Sequence, residues 1–213
     1  MTDVPWPLFA LRVRTERLVL RVPTDEDLAA LALVLPDDVD MNPALPTYDL
    51  PLAERRAISL LQQVWGALGN WRPEQWRLCL AAWLDDEPVG MQDVKTTNFP
   101  LTRVVATSSW LVESRRGSGI GKEMRGAVLD LAFTGLGAEW AETDAVHDNA
   151  ASLGVSRSLG YQPNGERIEV HGGVPHRMVA LRLSRAAWLA ARKDKDAAKI
   201  SGLEGSLPLF GLT

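Results

Sequence analysis

Cysteine is almost absent: Cys79 stands alone among 213 residues. No internal disulfide can form, which fits a reducing cytoplasm. Positive charge is also short, with 23 Lys and Arg against 27 Asp and Glu, a net charge of −4 and a pI near 5.4. General nucleic-acid binders are usually basic, so no nucleic-acid partner is expected. Apolar residues never run on for the roughly 18 positions of a membrane span, and no membrane partner is expected. The N-terminus has no basic region leading into an apolar core, so no signal peptide is expected and the cytoplasm is the predicted compartment. Tyrosine is scarce, with two residues against eight tryptophans, which are expected in the core or in groove walls. No repeat, low-complexity block or linker demands a second domain at this length.

What is present is an ordinary globular composition, 46% hydrophobic and 23% charged, and one unusual stretch, Trp110–Met124. It reads as strand, basic glycine-rich turn, then helix. Arg116, Gly119 and Gly121 fit the pattern Arg/Gln-x-x-Gly-x-Gly/Ala. Glycines let a backbone approach a ligand closely, and a helix start offers unpaired N–H groups and a positive dipole end. Arg115, Arg116 and Lys122 add charge that an acidic chain does not supply as background. The stretch describes a seat for a pyrophosphate. A Rossmann fingerprint fails on spacing, because Lys122 stands at its third glycine. A Walker loop fails because Glu123 follows Lys122 and Arg116 holds the first glycine position.

Around this stretch the pattern predicts an N-terminal arm over 1–10, extended by Pro5 and Pro7, and a strand over Leu11–Val22. Thr24 caps a helix with acidic residues in its first turn, and a loop rich in proline and acid runs from Pro36 to Pro51. A second helix spans Leu52–Gly69. Strands follow at Trp76–Leu84, Val89–Thr97 and Arg103–Glu113. The motif helix runs from about Gly119 to Leu136, with Ile120, Met124, Ala127, Val128 and Leu131 on one face. Then come a strand at Ala138–Val146, a helix from Asp148-Asn149 to Leu159, and a hairpin of Tyr161–Val170 and His176–Leu183. A short helix over Ala186–Lys193 precedes a charged stretch over Lys193–Lys199 and an apolar tail over Ile200–Thr213. The tail can dock on its own subunit or on a second copy, so a homodimer stays open. The domain reading is arm 1–10, body 11–183, and C-terminal helix and tail 184–213.

Three segments together resemble the GNAT superfamily of acyl-CoA N-acyltransferases, in the branch similar to the ribosomal-protein N-acetyltransferases RimJ and RimL. They are Thr15-Glu16-Arg17-Leu18-Val19-Leu20-Arg21 with Asp25 to Leu28, the loop Arg116-Gly117-Ser118-Gly119-Ile120-Gly121, and Asn149-Ala150-Ala151-Ser152 with Gly160-Tyr161. The start Trp6–Phe9 resembles actinobacterial members of this branch. The resemblance spans about Leu11 to Leu183. It implies an α/β (α+β) fold with a single mixed, mostly antiparallel sheet flanked by helices on both faces. It also implies acetyl-CoA, or another acyl-CoA, as acyl donor, with no metal, and an amine acceptor: a protein N-terminus, a lysine or a small amine.

In the chemistry so implied, a neutral amine attacks the thioester carbonyl directly, so positioning both reactants is a large part of catalysis. Leu111 and Val112 would lie along the pantetheine and acyl group. Arg115, Arg116, Gly117, Ser118, Gly119, Ile120, Gly121 and Lys122 would hold the pyrophosphate. Asn149, Ser152 and Ser156 share one helix face and would meet the pantetheine. Ser152 would serve the leaving thiolate, while Ser156 stands where many members place a tyrosine acid. Candidates for the base are Glu113, Glu142, Asp144 and His147. Two further readings stay open: a larger or acidic donor such as succinyl-CoA, which needs a basic partner for its distal carboxylate, and a non-catalytic CoA-binding or regulatory protein of this fold.

Overall fold

A computed structural model describes residues 6–39, 45–46, 48–171, 173–192 and 197–213. Expectations for Met1–Pro5, for the middle of the Pro36–Pro51 loop and for the start of Lys193–Lys199 lie outside the described residues. The chain forms one nine-stranded sheet in the order β7-β8-β6-β5-β4-β3-β2-β1-β9. All neighbouring strands are antiparallel except β5 and β6, which run parallel.

The expected first strand is in fact a hairpin, β1 (Arg12–Arg14) and β2 (Leu18–Arg21). Its turn closes because the Leu18 amide donates to Thr15 Oγ1 at 3.0 Å, while Glu123 draws in the Thr15 hydroxyl and the Arg17 amide. Before it, Pro7–Ala10 makes a 3-10 turn rather than an extended arm, because Leu8 turns inward and is fully buried. Helix α1 (Asp25–Leu33) begins in a capping box of Thr24 and Asp27. Helix α2 spans Leu52–Gly69. Strands β3 (Gln75–Leu84) and β4 (Glu87–Thr97) turn through Asp85 and Asp86 at φ 50° and 63°, the left-handed pair that a two-residue hairpin favours. One helical turn, α3 (Phe99–Thr102), leads to β5 (Val104–Leu111).

The motif helix α4 is regular over Ile120–Asp130 and then widens to a π turn at Leu131–Gly135. There the Thr134 hydroxyl takes the Asp130 carbonyl and the Leu136 amide reaches back to Leu131. Strand β6 (Trp140–Val146), helix α5 (Ala150–Ser158), strands β7 (Gln162–His171) and β8 (Val174–Ser184), and helix α6 (Arg185–Ala191) follow.

Two apolar layers hold the sheet. Leu28, Leu31, Leu60 and Val64 of α1 and α2 pack on Cys79, Ala81 and Met91. On the opposite face α4 and α5 lie over Leu78, Leu80, Val94 and Val105. The tail docks in cis: β9 (Lys199–Ser201) pairs with β1, and a 3-10 segment at Glu204–Phe210 brings Phe210 into full burial. Phe210 meets Trp76 edge-on at 4.9 Å, and Trp71 stacks on Trp76 at 5.6 Å. The tail's apolar residues are thereby accounted for within one subunit and give no argument for a dimer.

Candidate active site

Strands β5 and β6 start together and then part. Their ladder covers only Val104 to Ala106 against Trp140 to Glu142. One step further, side chains replace the ladder: Thr143 Oγ1 donates to the Thr107 carbonyl at 2.9 Å, and Thr107 Oγ1 to that of Glu142 at 3.4 Å. Beyond this vertex β5 stays with β4 as far as Leu111, and β6 stays with β8. Ser108 and Ser109 are both exposed although they point to opposite faces of a central strand. The result is a wedge through the sheet that reaches solvent.

The glycine loop stands at the open end of this wedge. Strand β5 ends at Leu111, two residues short of the expected Glu113, because Glu113–Arg115 coil into a 3-10 turn. Val112 leaves the strand with its amide on the Val89 carbonyl at 2.9 Å. Gly119, at φ 81°, sits at the start of α4 and supplies no side-chain cap. The first-turn amides are therefore left to water or a ligand. Gly121 is a glycine that the protein's own packing does not require, since an added Cβ would meet only Leu111 Cδ2 at 3.9 Å. A backbone kept bare where packing does not demand it fits close approach by a bound group. Ile120 turns into the core, whereas Gly117 and Ser118 are exposed.

The three cations of the loop are not equivalent. Arg116 is held in a two-pronged pair by Asp38, both bonds at 2.7 Å, and donates Nε–H to the Leu111 carbonyl at 3.2 Å. Hydrogen bonding within that pair lowers the Asp38 pKa and raises that of Arg116. Arg115 pairs with Glu87 at 2.9 Å. Lys122 is exposed and makes no ion pair among the described residues.

Sequence reasoning missed Arg17, whose Nη1 donates to the Ser118 carbonyl at 3.3 Å and whose Nε donates to Glu123 at 2.6 Å. It also missed Arg125, a helix residue that is 3% exposed and reaches Thr143 Oγ1 at 3.3 Å and Ser109 Oγ at 3.1 Å. Arg125 therefore straddles the wedge just beyond its vertex. Burial lowers its pKa, with Tyr161 the neighbour acting against that, and the same burial raises the Tyr161 hydroxyl. No local signal marked it: only the packed helix, in which Met124 to Asp130 are all buried, puts the charges at 125 and 130 inside.

The remaining candidates are scattered. Asn149 Oδ1 accepts from the Ser152 amide at 3.0 Å, capping α5. Ser156 is 1% exposed and donates to the Ser152 carbonyl at 3.0 Å. The Ser152 hydroxyl, half-buried, makes no hydrogen bond among the described residues. His147 is exposed just past β6 with its amide on the Arg177 carbonyl. Glu142 pairs with Arg182 at 3.1 Å and Asp144 with Arg167, both on the sheet face away from α4. Glu113 lies apart from them, in a recess with Leu33 to Asp37 and Glu87.

The sequence pattern of the acetyltransferase (GNAT) domain matches residues 17–162. Among solved structures, Mycobacterium smegmatis RimJ in complex with CoA-disulfide is similar at 24% identity and TM-score 0.67, covering 85% of this chain and 92% of its own. A RimL ribosomal L7/L12 alpha-N-protein acetyltransferase in complex with coenzyme A is similar at 17% identity and TM-score 0.66, covering 83% and 99%. An acetyltransferase (GNAT family) from Bacillus anthracis is similar at 14% and TM-score 0.64, covering 82% and 99%. At these identities the structural likeness establishes the fold.

Proposed function

Because the chain belongs to the GNAT acetyltransferase domain family, we propose that it transfers an acyl group from acyl-CoA to a primary amine in a ternary complex. One observation carries this reading: an uncapped, glycine-built helix start stands at the mouth of a wedge that opens between two strands of the sheet. A pyrophosphate on the α4 amides would lead the pantetheine along Leu111 and Val112 toward the vertex. Bound acyl-CoA supplies an activated thioester carbonyl, and acetyl is the group the family's name carries.

The chain's own residues then have limited tasks. The α4 amides and Lys122 hold the pyrophosphate, with Arg116 shared between it and Asp38. Ser152, with an uncommitted hydroxyl on the first turn of α5, hydrogen-bonds the departing sulfur, since an alcohol is a poor acid. Asn149 keeps that turn in place through its cap. His147 accepts the amine proton, directly or through water, because its exposed ring makes no ion pair among the described residues. The amine enters from the face that carries Glu142 and Asp144, opposite the donor helices. The RimL neighbour is an alpha-N-protein acetyltransferase, and of its acceptor only the amine is carried over to this chain.

Ser156 favours a second reading. It is buried and back-bonded to Ser152, so it cannot act as the acid that a tyrosine supplies at that position in many relatives. A non-catalytic CoA-binding protein would tolerate this. Amine-dependent release of free CoA thiol, measured with acetyl-CoA against peptide N-termini, lysine peptides and polyamines, separates the two. Turnover with any acceptor supports the enzyme; tight CoA binding without turnover across the panel supports the second reading.

A further inference from the structure

The sheet face opposite the donor helices is only partly covered. Helices α1 and α2 pack over Cys79, Ala81 and Met91. Of that pair only the C-terminal end of α2, at Ala67 and Asn70, borders the neighbouring cavity of about 610 Å³. A smaller cavity of about 120 Å³ lies against the vertex at Thr107 and Thr143. The two share Lys95, Ala106 and Glu142. They form one path that leads from the vertex along the sheet.

Strand register leaves one charge on this path without a counter-charge. Arg77, Lys95, Ala106, Glu142 and Arg182 stand directly opposite one another across five neighbouring strands, and so share one face. Arg77 is committed to Asp93, through Nε at 2.9 Å and through Nη2. Glu142 is held by Arg182 at 3.1 Å, and Asp144 by Arg167. Of the charged residues lining either cavity, Lys95 alone has no ion pair among the described residues. It is exposed, and its cross-strand neighbours are a like charge, Arg77, and a methyl group, Ala106. Like charges directly opposite are destabilising. Asp93, two residues back on the same strand, keeps Oδ1 buried without a partner rather than bonding it to Lys95. Nothing in the sheet uses this ammonium, and an uncharged side chain would stand there without repelling Arg77. Ala106 leaves space beside it, so an anion seated over that methyl group would meet Lys95.

We propose that Lys95 selects the acceptor, and that this acceptor is the terminal amine of an acidic peptide whose second or third residue places a carboxylate on Lys95. The proposal rests on the reading of the wedge as an acyl-transfer site entered by the amine from this face. Spacing sets the position of the acid. Ala106 lies two residues before the exposed Ser108 on β5, about 7 Å along the strand. An extended chain covers that distance in about two residues. With its amine beside Ser108 at the vertex, such a peptide runs down the path and brings its acid over Ala106. A polyamine is disfavoured by the same feature, because its further ammonium groups would lie against Lys95 and Arg77. Lys95 is a specificity residue here: it holds the acceptor and takes no part in proton transfer.

The test measures free CoA thiol released from acetyl-CoA by the full chain, with short peptides that differ only at the second or the third residue. That residue is glutamate, glutamine or lysine. The expected order of kcat/KM is glutamate, then glutamine, then lysine. Glutamate should exceed glutamine by about three- to tenfold at low ionic strength, mainly through KM, with the gap closing in salt. Lys95→Met should bring the glutamate and glutamine peptides level, and Lys95→Glu should invert the order. Free CoA, titrated on the opposite face, should bind both variants as it binds the wild type and so reports that they are folded. If Lys95→Met does not fold, Lys95→Gln removes the charge with a polar side chain. A merely structural lysine predicts a changed melting temperature and an unchanged order of peptides. Equal kcat/KM for the three peptides in the wild type, or a glutamate preference that survives Lys95→Met, overturns the proposal and spares the acyl-transfer reading. Turnover of polyamines, or of lysine side chains in peptides with blocked N-termini, while free N-termini are refused does the same. No release of CoA with any amine removes both.

Discussion

Glu123, beside the glycine loop, shows how single residues far apart in sequence build this site. Burial alone would raise its carboxyl, but hydrogen bonds from Thr15 and Arg17 outweigh that and bring its pKa below the ordinary 4.5. A carboxylate lowered on folding contributes stability above its unfolded pKa and loses it as pH falls through the folded one. Glu123→Gln should therefore cost about 1–2 kcal/mol near pH 7. In urea titrations the gap between wild type and variant should close as the pH falls below the ordinary carboxylate range, through the lowered folded-state pKa of Glu123. Asp38 acts at the other end of the loop. Asp38→Asn should change stability by no more than about 0.5 kcal/mol, as for exposed pairs. It should tighten CoA binding by about two- to fivefold at low ionic strength by releasing Arg116, with the gain fading in salt; weaker binding would mean that Asp38 instead aims Arg116 at the ligand. The glycines, Arg116 and the Thr24 cap were legible because their signals are local. Arg17 and Arg125 were not, since their roles depend on partners that pairing alone brings near.

Elements were legible in proportion to how far their own periodicity fixed them. Helix α2 occupies the expected Leu52–Gly69 because its apolar stripe repeats cleanly. Leu11–Val22 read as one strand because the turn between β1 and β2 has neither Gly nor Pro; it is closed by Thr15 and by bonds from α4. The π turn after Asp130 and the short stop of β5 likewise follow from particular hydrogen bonds rather than from propensity. The tail is the extreme case: its apolar residues read equally well as a docking segment for either of two surfaces. Only the assembled sheet supplies the β1 edge and the tryptophans that it covers. Phe210, fully buried against Trp71 and Trp76, should cost about 3–5 kcal/mol on truncation to alanine. Chemical denaturation followed by tryptophan emission would read both that loss and the change around the two indoles. A Phe210→Ala variant as stable as wild type would mean that the tail does not dock there.

At the scale of the whole molecule, the single parallel pair in an otherwise antiparallel sheet sets the geometry of the site. Strands β5 and β6 hold different outer partners, β4 and β8, and so each stays paired along its outer edge while their facing edges part beyond Thr107. Helices α4 and α5 fill one side of the gap, and the proposed acceptor route is the opposite face, which bears Glu142 and Asp144. The fold was anticipated from three short motifs, and the splayed strand end only through the resemblance they carry, because the wedge arises from strand register. The central claim is that the bare start of α4 seats the pyrophosphate of CoA, and Gly121→Asp tests it most directly. The substitution has room, and an acid in the first turn of a helix is favourable for folding. Calorimetric titration of free CoA should give one site in the wild type, weakened by about 30-fold or more in Gly121→Asp, through charge repulsion at the anion seat, with no fall in melting temperature. A wild type that takes up no CoA, or a variant that binds it equally well, would contradict the account.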